Sequence, residues 1–398
     1  MHSSAFGSEQ GRTSPVIVME QLIINLLILD ILAWSFGLFG IAGTLIPFLR
    51  YDDWWIRGFD YPRVQLVFIM LTAIGLLLVE SYFFDADDWV LTGIIGAALV
   101  YQVAKILPYT PIWNHQVKTT AADYEHGYFV SLLMSNVLQK NERSDLLIER
   151  IRAKDPDLIL TLETNQRWQN ELDAELIQDY PHTIKVPKEN RYGMHLYSRL
   201  ELRNETVNYH VSDDLPSIYV EVKLPNDGPW IKLYGVHPSV PSPTEEDSST
   251  ERDGELAVVG RLVEEAGSDR TIVAGDLNDV AWSHSTRLFQ RLSGLLDPRR
   301  GRGFFATFHA DYWFARWPLD HVFHSKDFTL RSLERLDTIQ SDHFPVYVEL
   351  AFDPARSGEQ EELKKEDGDR ETADRTTELA KNGEKDTLLV DSGTDAES

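Results

Sequence analysis

The chain has 398 residues, 43% of them hydrophobic, and a formal net charge of −25, enough apolar material for a sizeable core and enough length for two average domains. It contains no cysteine, which excludes disulfides, thiolate metal sites and cysteine nucleophiles and leaves the chemistry to oxygen and imidazole groups. The acidic balance works against a protein that holds long polyanions by neutralising phosphates with Lys and Arg, so a dedicated nucleic-acid-binding role is disfavoured.

Behind an N-terminal leader, residues 1–21, three apolar stretches fill the first quarter: Leu22–Leu49, Val64–Phe84 and Trp89–Leu107. Each is close to the roughly 20 residues that cross about 30 Å of hydrocarbon as a helix. Three in succession with few charges predict a bundle of three transmembrane helices over 22–107 rather than buried helices of a water-soluble core. A cleavable signal peptide fits poorly, because the first run is too long and two more follow it. Asp30 and Glu80 fall within or near these spans, where isolated charge is costly and a functional role is one reading. For Asp30 a partner on a neighbouring helix, protonation or an interfacial position are the others. Arg50, Arg57 and Arg63 lie in the first loop and Asp85, Asp87 and Asp88 in the second. The positive-inside rule would then put everything after the third span in the cytoplasm, by a margin that Asp52, Asp53 and Asp60 narrow.

A linker, 108–126, leads to a region whose texture changes at about Gly127 to short β-branched runs alternating with amphipathic segments, the mark of a mixed α/β domain over 127–352. Tyr128–Met134, Leu158–Leu162, Ser217–Leu224, Ile231–Val236, Thr271–Ala274 and Val346–Phe352 read as strands. Ser144–Lys154, Gln166–Ile177, Glu251–Glu265 and Ser283–Leu292 read as helices. The remainder, 353–398, holds 15 acidic and 7 basic residues and almost no aromatics, which predicts a disordered acidic tail.

Within the α/β region, Thr271-Ile-Val-Ala-Gly-Asp-Leu-Asn-Asp279 is an apolar strand that ends at Gly275 and delivers Asp276 and Asn278, which alternation places on one face. A carboxylate and an amide together at a strand end suit a centre that deprotonates water and holds a phosphoryl oxygen, although Gly-Asp-x-Asn alone also describes a turn. Two Asp-His pairs follow, Asp320-His321 and Asp342-His343, each at the edge of an apolar run; a carboxylate beside an imidazole orients its tautomer and raises its basicity. Upstream, one strand runs into Asn136 and another ends in Glu163, which is either a helix-initiating residue or a hard-cation ligand. Ile231–Val236 delivers His237, where Pro238 stops the ladder.

In their order these residues resemble the endonuclease/exonuclease/phosphatase superfamily: Asn136, Glu163, Ser198-Arg199, His237, the Gly-Asp-x-Asn of Asp276 and Asn278, Asp320-His321, and the terminal Ser341-Asp-His-Phe-Pro345. The resemblance spans about Tyr128 to Phe352 and implies a four-layer α/β sandwich of the DNase I-like kind, preceded here by the three helices. It implies a Mg²⁺ site, with Mn²⁺ as the alternative ion, on Asn136, Glu163 and Asp342. It further implies that Asp276 orients or deprotonates the attacking water, that Asn278 binds a phosphate oxygen, and that His343, braced by Asp320, and His237 neutralise charge on the phosphoryl and leaving groups. One departure is Leu138, where the nucleases often carry a second acidic residue. His321 reads as structural.

The segments Trp54–Arg63 and Ile106–Trp113 resemble bacterial members that place a few helices ahead of this domain, some of which act on polyprenyl pyrophosphate carriers from the outer face of the membrane. That resemblance implies an integral protein of the bacterial inner membrane with its catalytic domain periplasmic or extracellular, against the charge rule. The expected function is metal-assisted hydrolysis of a phosphate ester or pyrophosphate on a lipid-linked or membrane-proximal substrate. The partners are then the lipid bilayer and that phosphorylated substrate; no protein partner is predictable. A nuclease acting on DNA or RNA is the first alternative and would advertise a basic, aromatic-lined groove. A non-catalytic binding protein is the second, and would have lost Asp276 or His343. Substrate choice is expected in the loops Pro238–Asp253 and Pro298–Trp317, the latter carrying Arg299, Arg300, Arg302, Tyr312, Trp313 and Trp317.

Overall fold

The computed structural model describes residues 15–49, 51–84, 88–124, 127–242, 246 and 248–384. Most of the expected leader, Arg50, Asp85, Asp87 and the tail beyond residue 384 lie outside the described residues. Two compact units emerge, one from Met1–Ile46 with Arg63–Val103 and the other from Pro47–Pro62 with Ala104–Ser398.

The first helices are α1 (Pro15–Leu45), the single turn α2 (Trp54–Arg57), α3 (Arg63–Phe84) and α4 (Trp89–Ile106). Helices α1, α3 and α4 make the first unit. Their spans Met19–Leu49, Arg63–Phe83 and Trp89–Tyr109 have mean hydropathies of 2.2, 2.2 and 1.8 and are long and apolar enough to cross a membrane. Leu27, Ile31, Leu71 and Ile94 are exposed, so the outer faces are as apolar as the inner ones, as in helices that meet hydrocarbon. Small residues let the helices approach: Gly37 faces Ile95 and Gly40 faces Met70. A polar chain joins all three, with Arg63 Nη1 donating to Gln102 Oε1 at 2.8 Å and Gln102 Nε2 donating to Thr44 Oγ1 at 3.0 Å. Helix α1 starts at Pro15, ahead of the expected Leu22, because Val16, Ile17 and Met19 extend the apolar run.

The second unit contains β1 (Tyr128–Asn136), α5 (Ser144–Lys154), β2 (Leu158–Leu162), α6 (Gln166–Leu176), β3 (His182–Val186), β4 (Met194–Ser198), β5 (Leu202–Asn208), β6 (Ser217–Lys223), β7 (Trp230–Val236), α7 (Thr250–Glu265), β8 (Thr271–Asp276), α8 (His284–Ser293), β9 (Asp320–His324), β10 (Phe328–Arg335), β11 (Val346–Phe352) and α9 (Asp369–Asn382). The strands form two mixed sheets, β10-β11-β1-β2-β4-β3 and β5-β6-β7-β8-β9. Period-two alternation decides which side chain enters which layer. Leu132 and Met134 face the inter-sheet core with Leu160, Val220 and Leu233, while Leu133, between them, faces Ile148 and Trp168 of α5 and α6. On the other sheet Val273 and Phe323 pack under α7 and α8 through Val259 and Phe289. The result is a four-layer α/β sandwich.

Two expectations are corrected. The linker 108–126 is in part structural: Val117 is buried in the inter-sheet core, and Thr120 N donates to Leu330 O at 2.8 Å. The tail is ordered through residue 384, with a turn over Pro354–Glu359 and the helix α9. Its polar composition hides a narrow stripe of small residues: Ala373 and Ala380 are buried, and Gly254 of α7 lets the backbone of α9 come close at Ala380. A buried bidentate pair, Arg291 Nε to Asp369 Oδ2 at 2.9 Å and Nη2 to Oδ1 at 2.8 Å, holds its first turn. Replacing Asp369 with Ala removes both hydrogen bonds of a buried guanidinium and leaves it only the looser contact with Glu366 at 3.7 Å. The expected cost is about 3 kcal/mol, or roughly 6–12 °C in Tm for a domain of this size, read by thermal melting of the detergent-solubilised protein.

Candidate active site

The parallel pairs β1–β2 and β7–β8, one in each sheet, deliver the key side chains at or just beyond their carboxyl ends. Asn136 is the last residue of β1 and Glu163 follows β2; His237 follows β7, and Asp276 ends β8, paired in register with Asp320 of β9. Gly275 does not end the strand as its sequence suggested. It stays within β8, where a Cβ would collide with the Val236 carbonyl, and so lets β7 and β8 run close enough to bring His237 beside Asp276. Asp342 and His343 arrive from the turn before β11. Ser341 Oγ fixes that turn by donating to Asn136 O at 2.9 Å and accepting from His343 N at 3.1 Å.

These residues converge on Asp276. Asn136 Nδ2 donates to Asp276 Oδ2 and to Glu163 Oε1, each at 3.0 Å, while Asn136 Oδ1 accepts from Leu138 N at 3.1 Å. The amide thus bridges two carboxylates, and its oxygen is turned toward the backbone. His343 Nε2 lies 3.5 Å and His237 Nε2 4.0 Å from Asp276 Oδ2. His343 Nδ1 bonds Asp320 Oδ2 at 2.8 Å. Asn278 adopts φ 50°; its N–H donates to Asp276 Oδ1 and its Nδ2 to Pro238 O, both at 3.0 Å.

Burial governs the electrostatics. It opposes the charged form of His343, but the Asp320 and Asp276 carboxylates outweigh it and push this imidazole up to about 10. His237, buried with neither ring nitrogen hydrogen-bonded among the described residues, is pushed down to about 4 by burial against the weaker pull of Asp276. Burial raises Asp276, with His343 pulling the other way. It also raises Glu163, where Asp342 adds to the effect against the Asn136 hydrogen bond. The centre thus pairs a cationic imidazole with a neutral one across a buried carboxylate.

Among the described residues, two sets of groups could hold a metal. Asp276, Asp320 and His343 offer ligand atoms within 4.8 Å of one another. Glu163, whose carboxylate accepts only one amide and one backbone N–H, lines the same cavity as Asp342 and presents oxygen alone. Ser198 and Arg199 are elsewhere: Ser198 pairs with Leu158 at the start of β2, and Arg199 stacks on Tyr180. His321 is locked between Arg299 Nη2, 2.6 Å from its Nδ1, and Asp279 O, 2.9 Å from its Nε2. Arg299 itself is buried against Asp297 at 2.7 Å.

One further contributor was not among the expected site residues. Pro47–Pro62, which joins α1 to α3, belongs to the α/β unit. Tyr61 Oη donates to Asn278 O at 2.6 Å, alongside Arg252 Nη1 at 3.0 Å. Trp282 Nε1 donates to Asp60 O at 2.7 Å, and Thr250 Oγ1 to Asp52 Oδ2 at 3.0 Å. Trp54, Tyr61, Pro62, Phe308 and Trp317 line a cavity of about 490 Å³ together with Glu163, Asn278, Asp342 and His343. Arg191, also unforeseen, reaches this cavity from the loop after β3.

Two mixed sheets whose strand ends gather buried carboxylates, amides and imidazoles define the DNase I-like fold, a superfamily whose members are mostly hydrolases acting on phosphoesters. The sequence profile of the Endonuclease/Exonuclease/phosphatase family matches residues 132–343, and the chain belongs to that family. The family includes phosphodiesterases, nucleases and phosphatases, and its enzymes typically use divalent metal ions. Among solved structures, the chain is similar to an endonuclease/exonuclease/phosphatase family protein from Bacteroides thetaiotaomicron at 19% identity, over 57% of this chain and 99% of that one, TM-score 0.47. It is also similar to the human Nocturnin catalytic domain with bound sulfate anion (18%, 56% and 94%, TM-score 0.47) and to D. rerio TDP2 complexed with single strand DNA product (17%, 56% and 98%, TM-score 0.47). A search of curated proteins finds no match.

Imidazole NMR of the metal-free protein is expected to show His343 protonated through neutral pH and His237 neutral down to about pH 4. Because folding raises His343, its contribution to stability is complete below the unfolded value near 6.5 and is lost as pH rises toward 10; that of His237 is lost as pH falls from 6.5 toward 4. Asp320→Asn is expected to return His343 toward the ordinary histidine range. Tyr61→Phe removes one of two donors to Asn278 O and is expected to cost about 1 kcal/mol, measurable by the same melting experiment.

Proposed function

We propose that this protein is a membrane-anchored phosphoesterase that hydrolyses a phosphate ester or pyrophosphate on a lipid-linked or membrane-proximal substrate by metal-assisted attack of water. The observation that carries the reading is the cavity itself, lined by acidic and imidazole groups together with Trp54, Tyr61, Pro62, Phe308 and Trp317. The former suit a phosphoryl group and a cation, and the latter suit the hydrocarbon next to them. Two of the arginines around it, Arg57 and Arg252, are already paired, with Asp52 at 3.0 Å and Asp253 at 2.8 Å. Their charge is thereby compensated, which favours this reading over a nuclease that tracks a polyanion with free cations.

Glu163 and Asp342 are the residues assigned to Mg²⁺ or Mn²⁺, because both line one cavity and an all-oxygen set suits a hard cation. Asn136 positions Glu163 and Asp276 through its amide hydrogens and would have to turn to offer its oxygen. The ion, when bound, supplies Lewis-acid stabilisation of phosphoryl charge. The Asp276, Asp320 and His343 group is assigned to proton and charge handling instead, since His343 Nδ1 is engaged by Asp320 Oδ2 and the Asp276 oxygens already accept from Asn136 and Asn278. Asp276 orients or takes a proton from the attacking water, Asn278 faces a phosphoryl oxygen, and His343 and His237 stabilise the charge that develops.

The three apolar helices are assigned to crossing the bacterial inner membrane. A loop 47–62 that folds with the α/β unit supports this count of spans: after three crossings the first loop and the C-terminal unit share a side. We place that side in the periplasm, since Arg57, one of the loop's few cations, is neutralised by Asp52.

Phosphate release from a polyprenyl pyrophosphate in detergent, at millimolar Mg²⁺, tests the reading. Wild type is expected to be active and silenced by EDTA, and Asp276→Asn to lose about 10²–10⁴-fold. Absence of release alongside Mg²⁺-dependent cleavage of plasmid DNA would reject the lipid substrate in favour of a nuclease.

A further inference from the structure

The segment Thr307–Trp317 folds back on itself. Phe308 N donates to Trp317 O at 3.0 Å and His309 N to Ala315 O at 3.1 Å, and Ala315 N closes the turn onto Tyr312 O at 3.1 Å. Its two ends have opposite surroundings. At the base, Phe308 packs 4.9 Å from the His343 ring. Phe344 N donates to Thr307 O at 2.9 Å, and Ala310 N donates to Asp342 O at 2.7 Å. At the tip, Tyr312, Trp313 and Phe314 are 52%, 80% and 59% exposed. Three consecutive aromatics in water at a turn, on a hairpin whose base grips two residues of the candidate site, are not needed for the core.

Resting on the membrane reading above, we infer that this hairpin is a bilayer-contact element whose tip seats in the headgroup region of the membrane that the apolar helices cross. Chain connectivity identifies the occupant. The hairpin packs on the loop 47–62 through Tyr61 and Trp317, with ring centroids 5.7 Å apart and edge to face. That loop is bonded at Pro62 to Arg63, the first residue of α3, and leaves α1 at Leu45. A short loop tied at both ends to membrane-crossing helices stays at the membrane surface, and a hairpin packed on it stays there too. The loop itself exposes Trp54 and Trp55. Trp and Tyr, amphipathic rings with an apolar body and a polar edge, concentrate at this depth of a bilayer. A seated tip would hold the cavity residues Asp342 and His343 one hairpin length from the headgroups, within reach of a phosphate attached to a lipid.

The absence of cysteine makes the test direct. Trp313→Cys is prepared in the full chain, reconstituted into phosphatidylcholine/phosphatidylglycerol vesicles and labelled with an environment-sensitive fluorophore. Asp337→Cys, whose native side chain is 89% exposed, serves as the aqueous reference. At position 313 the expected result is blue-shifted emission, loss of emission to a shallow nitroxide-bearing lipid, and protection from aqueous iodide, with the reverse at 337. Phe314→Cys should repeat it. Vesicle-bound protein whose position 313 is quenched by iodide as readily as 337 would overturn the inference alone. Protection from iodide without quenching by the lipid would mean that protein covers the tip, and would overturn it as well. Protein that fails to float with the vesicles would overturn the inference together with the membrane reading.

Discussion

Everything at the centre of this molecule answers to one constraint, a carboxylate at Asp276 with no solvent exposure. An isolated buried carboxylate is too costly to keep, so the surroundings must supply donors and positive charge from several directions. Asn136 comes from the first sheet, Asn278 from the strand's own continuation, and His343 from the last turn before β11. That need explains why the carboxyl ends of β1 and β8, which belong to different sheets, meet across the sandwich. It also explains the second carboxylate: Asp320 keeps His343 cationic against burial, so that His343 can face Asp276 as a charge.

A second buried network ties this centre to the loop between the first two apolar helices. Arg252 is fully enclosed; it contacts Asp253 at 2.8 Å and Asp279 at 3.6 Å and donates to Asn278 O. Burial raises Asp279 to about 6 despite Arg252, whereas Arg252 and Arg57 overcome burial and lower Asp253. Asp52 and Arg57, both from the loop, complete the set. Such networks contribute little net stability, but they are intolerant of a missing partner. The loop is therefore held in one place, and with it the Tyr61 hydroxyl that shares the Asn278 carbonyl. A segment that looks like a connector between helices is in physical terms part of the α/β unit.

Much of this was legible in the sequence, for reasons that separate by type of signal. The helices α5 and α6 and the strands β2 and β11 were foreseen nearly to the residue, because their apolar periodicity is strong and their ends are marked by polar residues. The polar residues now gathered at Asp276 were visible because strand-terminal carboxylates and imidazoles break otherwise apolar runs. The strands β3, β4, β5, β9 and β10 were not foreseen. β5 is an edge strand with a mostly exposed polar surface, and β9 carries Asp320, His321 and His324, whose polarity conceals full burial. Helix α9 was hidden by the same effect in reverse, since a stripe of alanines against a glycine needs no hydrophobic periodicity to bury itself. The role of Tyr61 and Trp54 could not be read at all, because it depends on a contact between residues more than two hundred positions apart, and no local pattern encodes such a contact.

The charge pattern carries a similar lesson about orientation. Counting Arg57 and Arg63 as cations of the first loop favours a cytoplasmic loop, yet neither acts as a free charge at the surface. Arg57 is buried against Asp52, and Arg63 is buried and donates to Gln102 within the helical unit. Both charges are compensated or enclosed once the chain is folded. The positive-inside rule acts on the nascent chain, before those partners are in place, and there Asp52, Asp53 and Asp60 already offset the arginines. The loop is thus close to neutral at either stage, and the electrostatic case for a cytoplasmic site weakens. The acidic balance of the whole chain adds no attraction toward an anionic inner leaflet.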